Sequence, residues 1–458
     1  MSQSTFAETN GKEAVQGITG ISVRGYKSLS EECSIEIRPL TILAGANSSG
    51  KSSIMQPLLL MKQTLEATYD PGALLLNGPN VQFTFAEQLL SRISNEENSH
   101  TLAIKIEIDN NKTLKNIFKK NPGQSIEIDT EEISMENGRQ LVVSSKMSSD
   151  EFSILFKTIS ESQSHFNLMK KLIQLFQDEK PELTIHQERC FLNFNYSYKR
   201  EEIKIEFYNS RPYISLFEQE IRQFVHVPGL RNNPERTYPV TAFGRELPGR
   251  FEDYVASVVN HWKSIEDQRI EDLEKALMTL GLTSRIDARQ VNDVQIELRV
   301  NRLPASNDIS DLVSIADVGI GVSQVLPVLV ALLVAEPGQL VYLEQPEIHL
   351  HPRAQVGLAE VLANAANRGV RVVLETHSEL LLLAIQSLVA EGSLSSEKVK
   401  LHWFTRRKDG VTKVSSAELD EAGAFGDWPE DFGDVSMKLE SRYLDAAESR
   451  LWKRSHGG

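Results

Sequence analysis

The chain has 458 residues, too many for one ordinary core, and this length favours about two to four domains or one elaborated domain. Its composition, 40% hydrophobic and 24% charged, excludes collagen-like, wholly disordered and disulfide-scaffold chains. With 49 Lys and Arg residues against 63 Asp and Glu residues, the net charge is −14. The net charge of the whole molecule therefore does not attract DNA or acidic lipid. A local basic groove is still compatible with this charge, because affinity for phosphate depends on where the charges lie.

Cysteine usage and hydropathy indicate a compartment. Cys33 and Cys190 lie far apart in sequence and have no zinc-site spacing, so we expect a reduced environment and no structural disulfide. The first twenty residues are polar and lack the apolar segment of a signal peptide. The longest apolar stretch, residues 325–335, contains Pro327 and is too short to cross a bilayer. We therefore expect a cytoplasmic protein with no membrane partner.

The first predicted strands, residues 21–23 and 33–37, precede an apolar run at residues 39–44 that is typical of a buried central strand. A loop rich in glycine and serine follows at residues 45–53. An apolar helix is then predicted from Ile54 to about residue 67. A glycine loop between a buried strand and a helix is the setting that a phosphate-binding loop requires.

Residues 45–52 match the phosphate-binding pattern G-x-x-x-x-G-K-[ST]. Its glycines let backbone N–H groups surround a β-phosphate at a helix N-terminus, where the helix dipole favours anions. Lys51 would reach the β- and γ-phosphates, and the Ser52 hydroxyl would bind Mg²⁺. We therefore predict that ATP is bound by a run of loop residues: Asn47, Ser48, Ser49, Gly50, Lys51, Ser52 and Ser53.

The sequence changes character between about residues 91 and 216. Alternating or β-forming segments lie at residues 101–108, 140–144, 190–198 and 203–208. Residues 152–176 have a helical pattern, and the absence of sustained heptads excludes a long coiled-coil arm. The region is predicted to be a mostly β insertion with some helix.

A second α/β stretch follows the insertion. It begins with a strand at residues 224–228 and helical segments within residues 249–277. Its later elements alternate between helix and strand: a helix ending near residue 335, a strand at 339–343, a helix at 352–367, a strand at 370–374 and a helix at 379–388. A tail starts at Lys398, with a strand at residues 399–405 and an acid-rich segment at 427–432.

Polar residues follow the two strands of this stretch. Glu344 ends an apolar strand, which places its carboxylate at the carboxyl edge of a buried sheet, where Mg²⁺ would lie beside the phosphate loop. A strand ending in Glu is common by itself, but the phosphate loop favours a metal role. His377 follows the next strand, where a lone histidine is more often a cap or a core residue. A nucleotide-binding sheet would instead use it as a polar sensor.

Residues 317–324 lead into a helix and contain two glycines and a serine, Gly319, Gly321 and Ser323. Exposed backbone donors at this helix start would form a second anion-binding element. Taken alone the signal is weak, because a glycine before a helix is usually only a tight turn.

In this order, the elements resemble the ATPase heads of the ABC class, specifically the SMC, RecF and OLD type. The resemblance implies an α/β fold: an ABC-type P-loop ATPase head split in sequence by a mostly β insertion with some helix, plus a small C-terminal α+β tail. The implied domains are an N-terminal ATPase lobe (1–91), the insertion (92–220), a C-terminal ATPase lobe (221–397) and the tail (398–458).

The resemblance also implies roles. Residues 45–52 correspond to Walker A, residues 317–324 to the signature loop, the strand ending in Glu344 to Walker B, residues 349–352 to the D-loop, and His377 to the switch histidine. The E-x-P-E-x-H-L-H-P run at 344–352, Leu-Asn-Gly at 76–78 and Pro-Gly-Leu-Arg at 228–231 are similar to the OLD branch. Residues 428–432 are similar to an uncharacterised C-terminal domain of bacterial ATPases in this group.

Three departures from the family pattern matter. Gln345 stands where relatives carry the glutamate that polarises water, and an amide cannot accept that proton, so we expect slow hydrolysis unless Glu347 or a partner group serves. Ile320 stands where a small polar residue is usual in the signature loop. Nothing after His377 is similar to the Toprim nuclease of OLD proteins, so DNA cutting would need another chain.

ABC heads bind two ATP molecules between two subunits, so the resemblance implies a head-to-tail homodimer and possible higher oligomers. It favours an ATPase that acts as sensor or scaffold for a separate nuclease or toxic effector in anti-phage defence, similar to the Septu ATPase PtuA. One alternative is a nucleotide-gated structural module that does not hydrolyse ATP. Another is a RecF-like DNA-repair clamp that binds nucleic acid, against which the net charge argues mildly.

Arg231 and Arg236 lie in the loop after the strand at 224–228. A guanidinium there could reach a nucleotide or nucleic-acid phosphate, but a surface ion pair is the favoured interpretation.

Overall fold

A computed structural model describes residues 17–93, 100–151 apart from 110, 136, 137, 139 and 149, 182–200, 203–208, 212–303, 311–426, and 438–448 apart from 440. The predicted helix at 152–176 and the tail segment at 428–432 lie outside the described residues.

The described strands, in chain order, are β1 (Ile18–Arg24), β2 (Cys33–Glu36), β3 (Leu40–Gly45), β4 (Thr101–Ile108), β5 (Lys112–Lys120), β6 (Ile126–Ser134), β7 (Gln140–Ser144), β8 (Glu182–Glu188), β9 (Phe191–Arg200), β10 (Ile203–Tyr208), β11 (Val225–Val227), β12 (Tyr238–Pro239), β13 (Ile286–Asn292), β14 (Gln295–Asn301), β15 (Leu312–Ser314), β16 (Leu340–Glu344), β17 (Arg371–Glu375), β18 (Val399–Arg406) and β19 (Thr412–Ala417). The described α-helices are α1 (Lys51–Glu66), α2 (Pro212–Gln223), α3 (Val255–Ser264), α4 (Arg269–Thr279), α5 (Ile320–Val334), α6 (Pro352–Asn367) and α7 (Glu379–Ala390).

The central sheet has the strand order β11-β16-β17-β3-β18-β19. Its first five strands are parallel, and β19 closes one edge as an antiparallel partner of β18. All six residues of β3 are buried, as expected for a strand covered on both faces. The carboxyl ends of β3, β16 and β17 therefore meet at one edge, which is where ligands bind in open parallel sheets.

Helices and a second sheet cover the two faces of the central sheet. On one face, Leu40 and Ile42 of β3 belong to a core that includes α3 to α7. On the other face, Leu43 of β3 packs in a core with α1 and the N-terminal strands. Alternate residues of one strand thus serve opposite cores, because side chains of a strand point to opposite faces in turn.

The insertion continues the sheet of the N-terminal lobe. Antiparallel strands follow in the order β2-β1-β4-β5-β6-β7, so β1 pairs with β4 across the predicted boundary at residue 91. Strands β8 to β10 form a separate sheet in the order β10-β9-β8. The mostly β character predicted for this region is confirmed within the described residues, whereas the domain boundaries stay predictions.

A turn of the insertion caps the helix that follows the phosphate loop. The guanidinium of Arg189, between β8 and β9, donates to the carbonyl of Leu65 and, at 2.9 Å, to that of Ala67. These carbonyls belong to the C-terminal end of α1, where the helix itself supplies no donors. The insertion is therefore attached to the element that begins in the phosphate loop.

Most boundaries of the two α/β stretches agree with the sequence. β3 and α6 match within one residue, while α1 begins at Lys51, three residues earlier than predicted. The predicted tail strand is β18, which hydrogen-bonds along β3 in the middle of the central sheet. Cys33 and Cys190 are both free, in line with the prediction of no structural disulfide, and both are buried.

Candidate functional site

A cavity of about 870 Å³ lies at the carboxyl ends of β3 and β17. Its wall contains all seven loop residues predicted to bind nucleotide, from Asn47 to Ser53, together with Gln345 and His377. The other predicted site residues all lie in the described part of the chain but are not in this wall: Glu344, Glu347, Gly319, Gly321 and Ser323.

Two glycines fix the course of the phosphate loop. Gly45 and Gly50 have φ angles of 142° and 103°, values that side-chain-bearing residues rarely adopt. A Cβ at Gly45 would lie 2.3 Å from the carbonyl oxygen of Phe404, and one at Gly50 would lie 2.6 Å from the hydroxyl of Thr412. Because Phe404 and Thr412 belong to β18 and β19, the predicted tail region forms the back of the loop.

Lys51 is the first residue of α1 and is only 3% exposed. Its ammonium group donates to the carbonyl oxygens of Gly45 at 3.0 Å and Ala46 at 2.9 Å, both in its own loop. Burial lowers the pKa of Lys51, and the charge of Glu375 partly opposes this. The amine thus lies against weak neutral acceptors, which a phosphate would replace favourably.

The Ser52 hydroxyl faces Glu375, a residue that the sequence did not single out. It donates to the two carboxylate oxygens of Glu375 at 2.8 and 3.1 Å. The Tyr342 hydroxyl donates to Oε2 of the same carboxylate at 2.9 Å. Burial raises the pKa of Glu375, with a further rise from the charge of Glu344, while the hydrogen bond from Ser52 opposes them.

Glu344, the acid predicted to bind the metal, is engaged elsewhere. Its Oε1 lies 3.2 Å from Nε2 of His226, and its Oε2 accepts from the backbone N–H of Gly229 at 3.1 Å. Burial raises the pKa of Glu344, but the contacts from His226 and Gly229 outweigh burial and leave the pKa below its ordinary value. The His226 ring also stacks on Tyr342, with centroids 5.3 Å apart. The predicted metal role of Glu344 stays a prediction.

Gln345 adopts a left-handed conformation, with φ of 41°, at the turn after β16. Its backbone N–H donates to the carbonyl of Glu375 at 2.8 Å. Below the turn, Arg231 is partly buried and donates to the carbonyls of Glu344 at 3.0 Å and Gln345 at 3.4 Å. A strained backbone held in this way from two sides fixes the turn that carries Gln345, a residue of the cavity wall.

Glu347 supports the turn that carries His377. Its Oε1 accepts from the Thr376 hydroxyl at 2.5 Å and from the His377 backbone N–H at 3.1 Å. The His377 side chain lines the cavity. Burial lowers the pKa of His377, and the charge of Lys51 lowers it further, so both effects favour the uncharged ring.

The signature loop lies outside the cavity wall. Gly319 and Ile320 are exposed, and Ser323 donates to the Ile320 carbonyl at 2.9 Å. Asp317 forms a bidentate ion pair with Arg236 at 2.8 and 3.1 Å. The surface ion pair predicted for Arg236 is thus confirmed, whereas Arg231 lies beneath the turn after β16.

The residues of the cavity fit a nucleotide with a divalent cation. Ser49 has a buried hydroxyl for which the described residues provide no hydrogen-bond partner. Cationic groups of Lys27, Lys51, Arg92 and Arg406 line the wall, which suits several phosphates. Ser52 and Glu375 offer the hard oxygen donors that Mg²⁺ prefers. Within the described chain, no group of three or more His, Cys, Asp or Glu residues suits a metal, so nucleotide oxygens would complete its shell.

Sequence reasoning missed Glu375, Tyr342 and His226. Glu375 had a usable signal, because it ends an apolar strand in the same way as Glu344 does, two residues before His377. The two acids are direct partners in the pairing of β16 with β17, so both end at the same edge of the sheet. Ser52 faces Glu375, whereas Glu344 contacts His226, which comes from the distant strand β11.

The family model described as "AAA ATPase domain" matches residues 17–382 of this chain. No curated protein matches the chain. In the part of the chain that the structure describes, no helix combines the length and apolar character needed to cross a membrane.

Several solved structures are similar to this chain at low identity. The SmcHead bound to the C-winged helix domain of ScpA is 12% identical, covers 89% of this chain and 99% of its own, and has a TM-score of 0.47. The Smc head derived from Pyrococcus furiosus, bound to the C-terminal domain of ScpA, is 13% identical, covers 94% of this chain and 100% of its own, and has a TM-score of 0.46. The SMC head domain from Thermotoga maritima is 11% identical, covers 88% of this chain and 100% of its own, and has a TM-score of 0.39. Because these TM-scores lie below 0.5, the similarities do not bear on function.

Proposed function

The chain belongs to the AAA ATPase domain family, and on that premise we propose that it is a slowly hydrolysing, ATP-dependent switch. It acts in the cytoplasm as sensor or scaffold for a separate nuclease or toxic effector in bacterial anti-phage defence, in the manner of the Septu ATPase PtuA. One observation carries the nucleotide role: Lys51 and Ser52 of an intact phosphate loop share one cavity with Gln345 and His377.

Each group of the cavity has a part in binding. The loop N–H groups at the start of α1 would surround the β-phosphate. Lys51 would exchange the carbonyls of Gly45 and Ala46 for phosphate oxygens, which are stronger acceptors because they are charged. Ser52 and a carboxylate at this edge would hold Mg²⁺, which neutralises phosphate charge in phosphoryl transfer.

Slow turnover follows from the chemistry of Gln345. An amide can orient water through hydrogen bonds but cannot remove its proton. Burial and the charge of Lys51 lower the pKa of His377, which favours a hydrogen-bonding role for the uncharged ring over that of a positive charge. Glu347 holds the backbone of the His377 turn, which supports a positioning role more than that of a base.

A second copy of the chain completes the site in this proposal. The signature loop is exposed, and Ile320 at its centre is 48% exposed to solvent. In a head-to-tail homodimer, this loop from one subunit would lie over the phosphate loop of the other. Bound ATP would then stabilise the dimer, so the nucleotide state would control assembly.

A second candidate function is a nucleotide-gated structural module that binds ATP without turning it over, and Gln345 favours it. Calorimetry with ATP and Mg²⁺, followed by phosphate release at saturating Mg-ATP, separates the candidates. The switch predicts measurable binding and a turnover above the blank. Binding with a turnover equal to the blank supports the structural module, and absence of binding contradicts both.

The defence role needs a cellular test. The chain is expressed with the reading frames that flank it, and the host is challenged with a panel of phages. We expect fewer plaques with the wild type than with Lys51→Ala, because the variant lacks the ammonium group at the phosphates. Equal plaque numbers across the panel contradict the defence role while leaving ATP binding intact.

A further inference from the structure

Two carboxylates end neighbouring strands at the phosphate loop, and their surroundings differ. We propose that Glu375, and not Glu344, is the acid that binds the divalent cation of the nucleotide together with Ser52. The inference rests on the proposed binding of ATP in this cavity and assigns the metal site within it.

The geometry separates the two acids although they share a register position. Glu344 and Glu375 are direct partners in the pairing of β16 with β17. Glu375 lines the cavity and has both oxygens within 3.1 Å of the Ser52 hydroxyl. Glu344 is absent from the cavity wall, and both of its oxygens are occupied, one by His226 and one by the Gly229 N–H.

Glu375 is also held ready for a cation. It is 5% exposed, and the Tyr342 hydroxyl fixes its Oε2 from the side of the sheet. The cation of the phosphate loop, Lys51, is directed at loop carbonyls rather than at this carboxylate. A buried carboxylate without a full ionic partner is costly, and a divalent cation at the Ser52 hydroxyl would supply one.

An independent observation points to a ligand in the same place. The Ser49 hydroxyl is 2% exposed, lines the cavity, and has no hydrogen-bond partner among the described residues. Buried polar groups are nearly always paired, so an unpaired one indicates a missing partner. A phosphate oxygen in the loop would provide it and would bring its cation to Ser52 and Glu375.

Glu344 has a different role in this arrangement. Its contacts to His226 and Gly229 connect the end of β16 to β11 and to the segment after it. Arg231 of that segment donates to the backbone of Glu344 and Gln345. Glu344 is therefore a positioning residue for the turn that carries Gln345, and it acts on the nucleotide only through that turn.

The test measures ATP affinity by calorimetry, once in EDTA and once in Mg²⁺, for the wild type, Glu375→Gln and Glu344→Gln. Loss of a group that holds a bound metal or its ligands commonly lowers metal affinity by ~10–100-fold. Mg²⁺ should raise the ATP affinity of the wild type, and we expect this rise to be smaller by ~10–100-fold in Glu375→Gln. In EDTA, Glu375→Gln should still bind ATP. We expect Glu344→Gln, the matched variant at the same register, to keep the gain.

Binding of Mn²⁺ to the ATP complex, followed by electron paramagnetic resonance, provides a readout that does not depend on hydrolysis. Glu375→Asp, which keeps the charge but withdraws it from Ser52, serves if Glu375→Gln does not fold, and we expect weaker Mn²⁺ binding than in the wild type. The inference is overturned if a Glu375 variant gains as much ATP affinity from Mg²⁺ as the wild type does. It is also overturned if only Glu344→Gln loses that gain in ATP affinity. A wild type that binds no ATP in either buffer overturns the proposed function itself.

Discussion

The phosphate loop and the signature loop each carry two glycines near the start of a helix, yet the chain surrounds them differently. Around the phosphate loop, a Cβ at Gly45 or Gly50 would lie within 2.6 Å of atoms from β18 and β19. Around the signature loop, a Cβ at Gly319 would meet nothing within 4 Å, and one at Gly321 would make ordinary contacts at 3.6 Å. The first pair of glycines is required by packing inside this chain, whereas the second pair is not.

We call the phosphate loop, residues 45–53, the closed half of the site and the signature loop, residues 317–324, the open half. The difference indicates whether each half is enclosed by this chain or would need a second molecule. The phosphate loop lies in a cavity lined by its own chain, and the buried Lys51 is part of that lining. In the signature loop Gly319 and Ile320 are exposed, so any requirement for small residues there must come from a second molecule. Variants that change one half at a time test this contrast.

The largest expected effect is on the closed half. Lys51→Ala removes charge-assisted hydrogen bonds worth about 1.5–3 kcal/mol each, so two such bonds correspond to a loss of ~10²–10⁴-fold in ATP affinity. Calorimetry measures the loss, and Lys275→Ala, an exposed lysine on α4, is the control. ATP affinity retained in Lys51→Ala would remove Lys51 from the binding site.

The next largest effect is expected at Gln345, which lines the same cavity as the phosphate loop residues. Gln345→Glu places a base in the cavity wall, and because a general base commonly contributes ~10²–10⁴-fold, we expect turnover to rise by about 10²-fold. Gln345→Ala should leave ATP binding nearly intact. Phosphate release is compared for the variants at matched Mg-ATP occupancy. Equal rates in wild type and Gln345→Glu, both well above the blank, would contradict slow hydrolysis.

The closed half was also the more predictable half. The strand, loop and helix from residue 39 to 67 follow from local patterns, because an apolar run, two glycines and an apolar helix all lie within about thirty residues. The hairpin of β13 and β14 was missed, although Ile296, Leu298 and Val300 alternate as half-buried strands do. Its alternation is short and follows directly on helical segments, which makes it a weak local signal.

Other features depend on contacts that no local pattern contains. The pairing of β1 with β4 joins segments that are about eighty residues apart, and antiparallel partners at such separations are chosen by the whole fold. The contact that engages Glu344 away from Ser52 comes from His226, a residue more than a hundred positions away in the sequence. Sequence therefore located the edge of the sheet but not which acid faces Ser52.

A smaller effect is expected in the open half. Gly319→Asp adds a carboxylate at the N-cap of α5, where aspartate is favoured and space is open, so folding and monomer ATP affinity should not change. If a γ-phosphate from a second subunit lies there, like charges would weaken the ATP-dependent dimer by at least ~10-fold. Light scattering with Mg-ATP measures the dimer, and Gly244→Asp, at another open glycine, is the control. An unchanged dimer would contradict the head-to-tail arrangement.

The smallest effect is expected at the ion pair that borders the open half. Arg236 and Asp317 are 73% and 45% exposed, and exposed pairs contribute little because solvent screens them and their side chains lose entropy on pairing. Arg236→Ala should therefore shift Tm by less than about 2 °C and leave monomer ATP affinity unchanged, because Arg236 lies outside the cavity wall. Differential scanning calorimetry and ATP titration check both points. A clear fall in ATP affinity would mean that this guanidinium reaches the nucleotide within one chain, and the open half would then belong to the same site as the closed half without a second subunit.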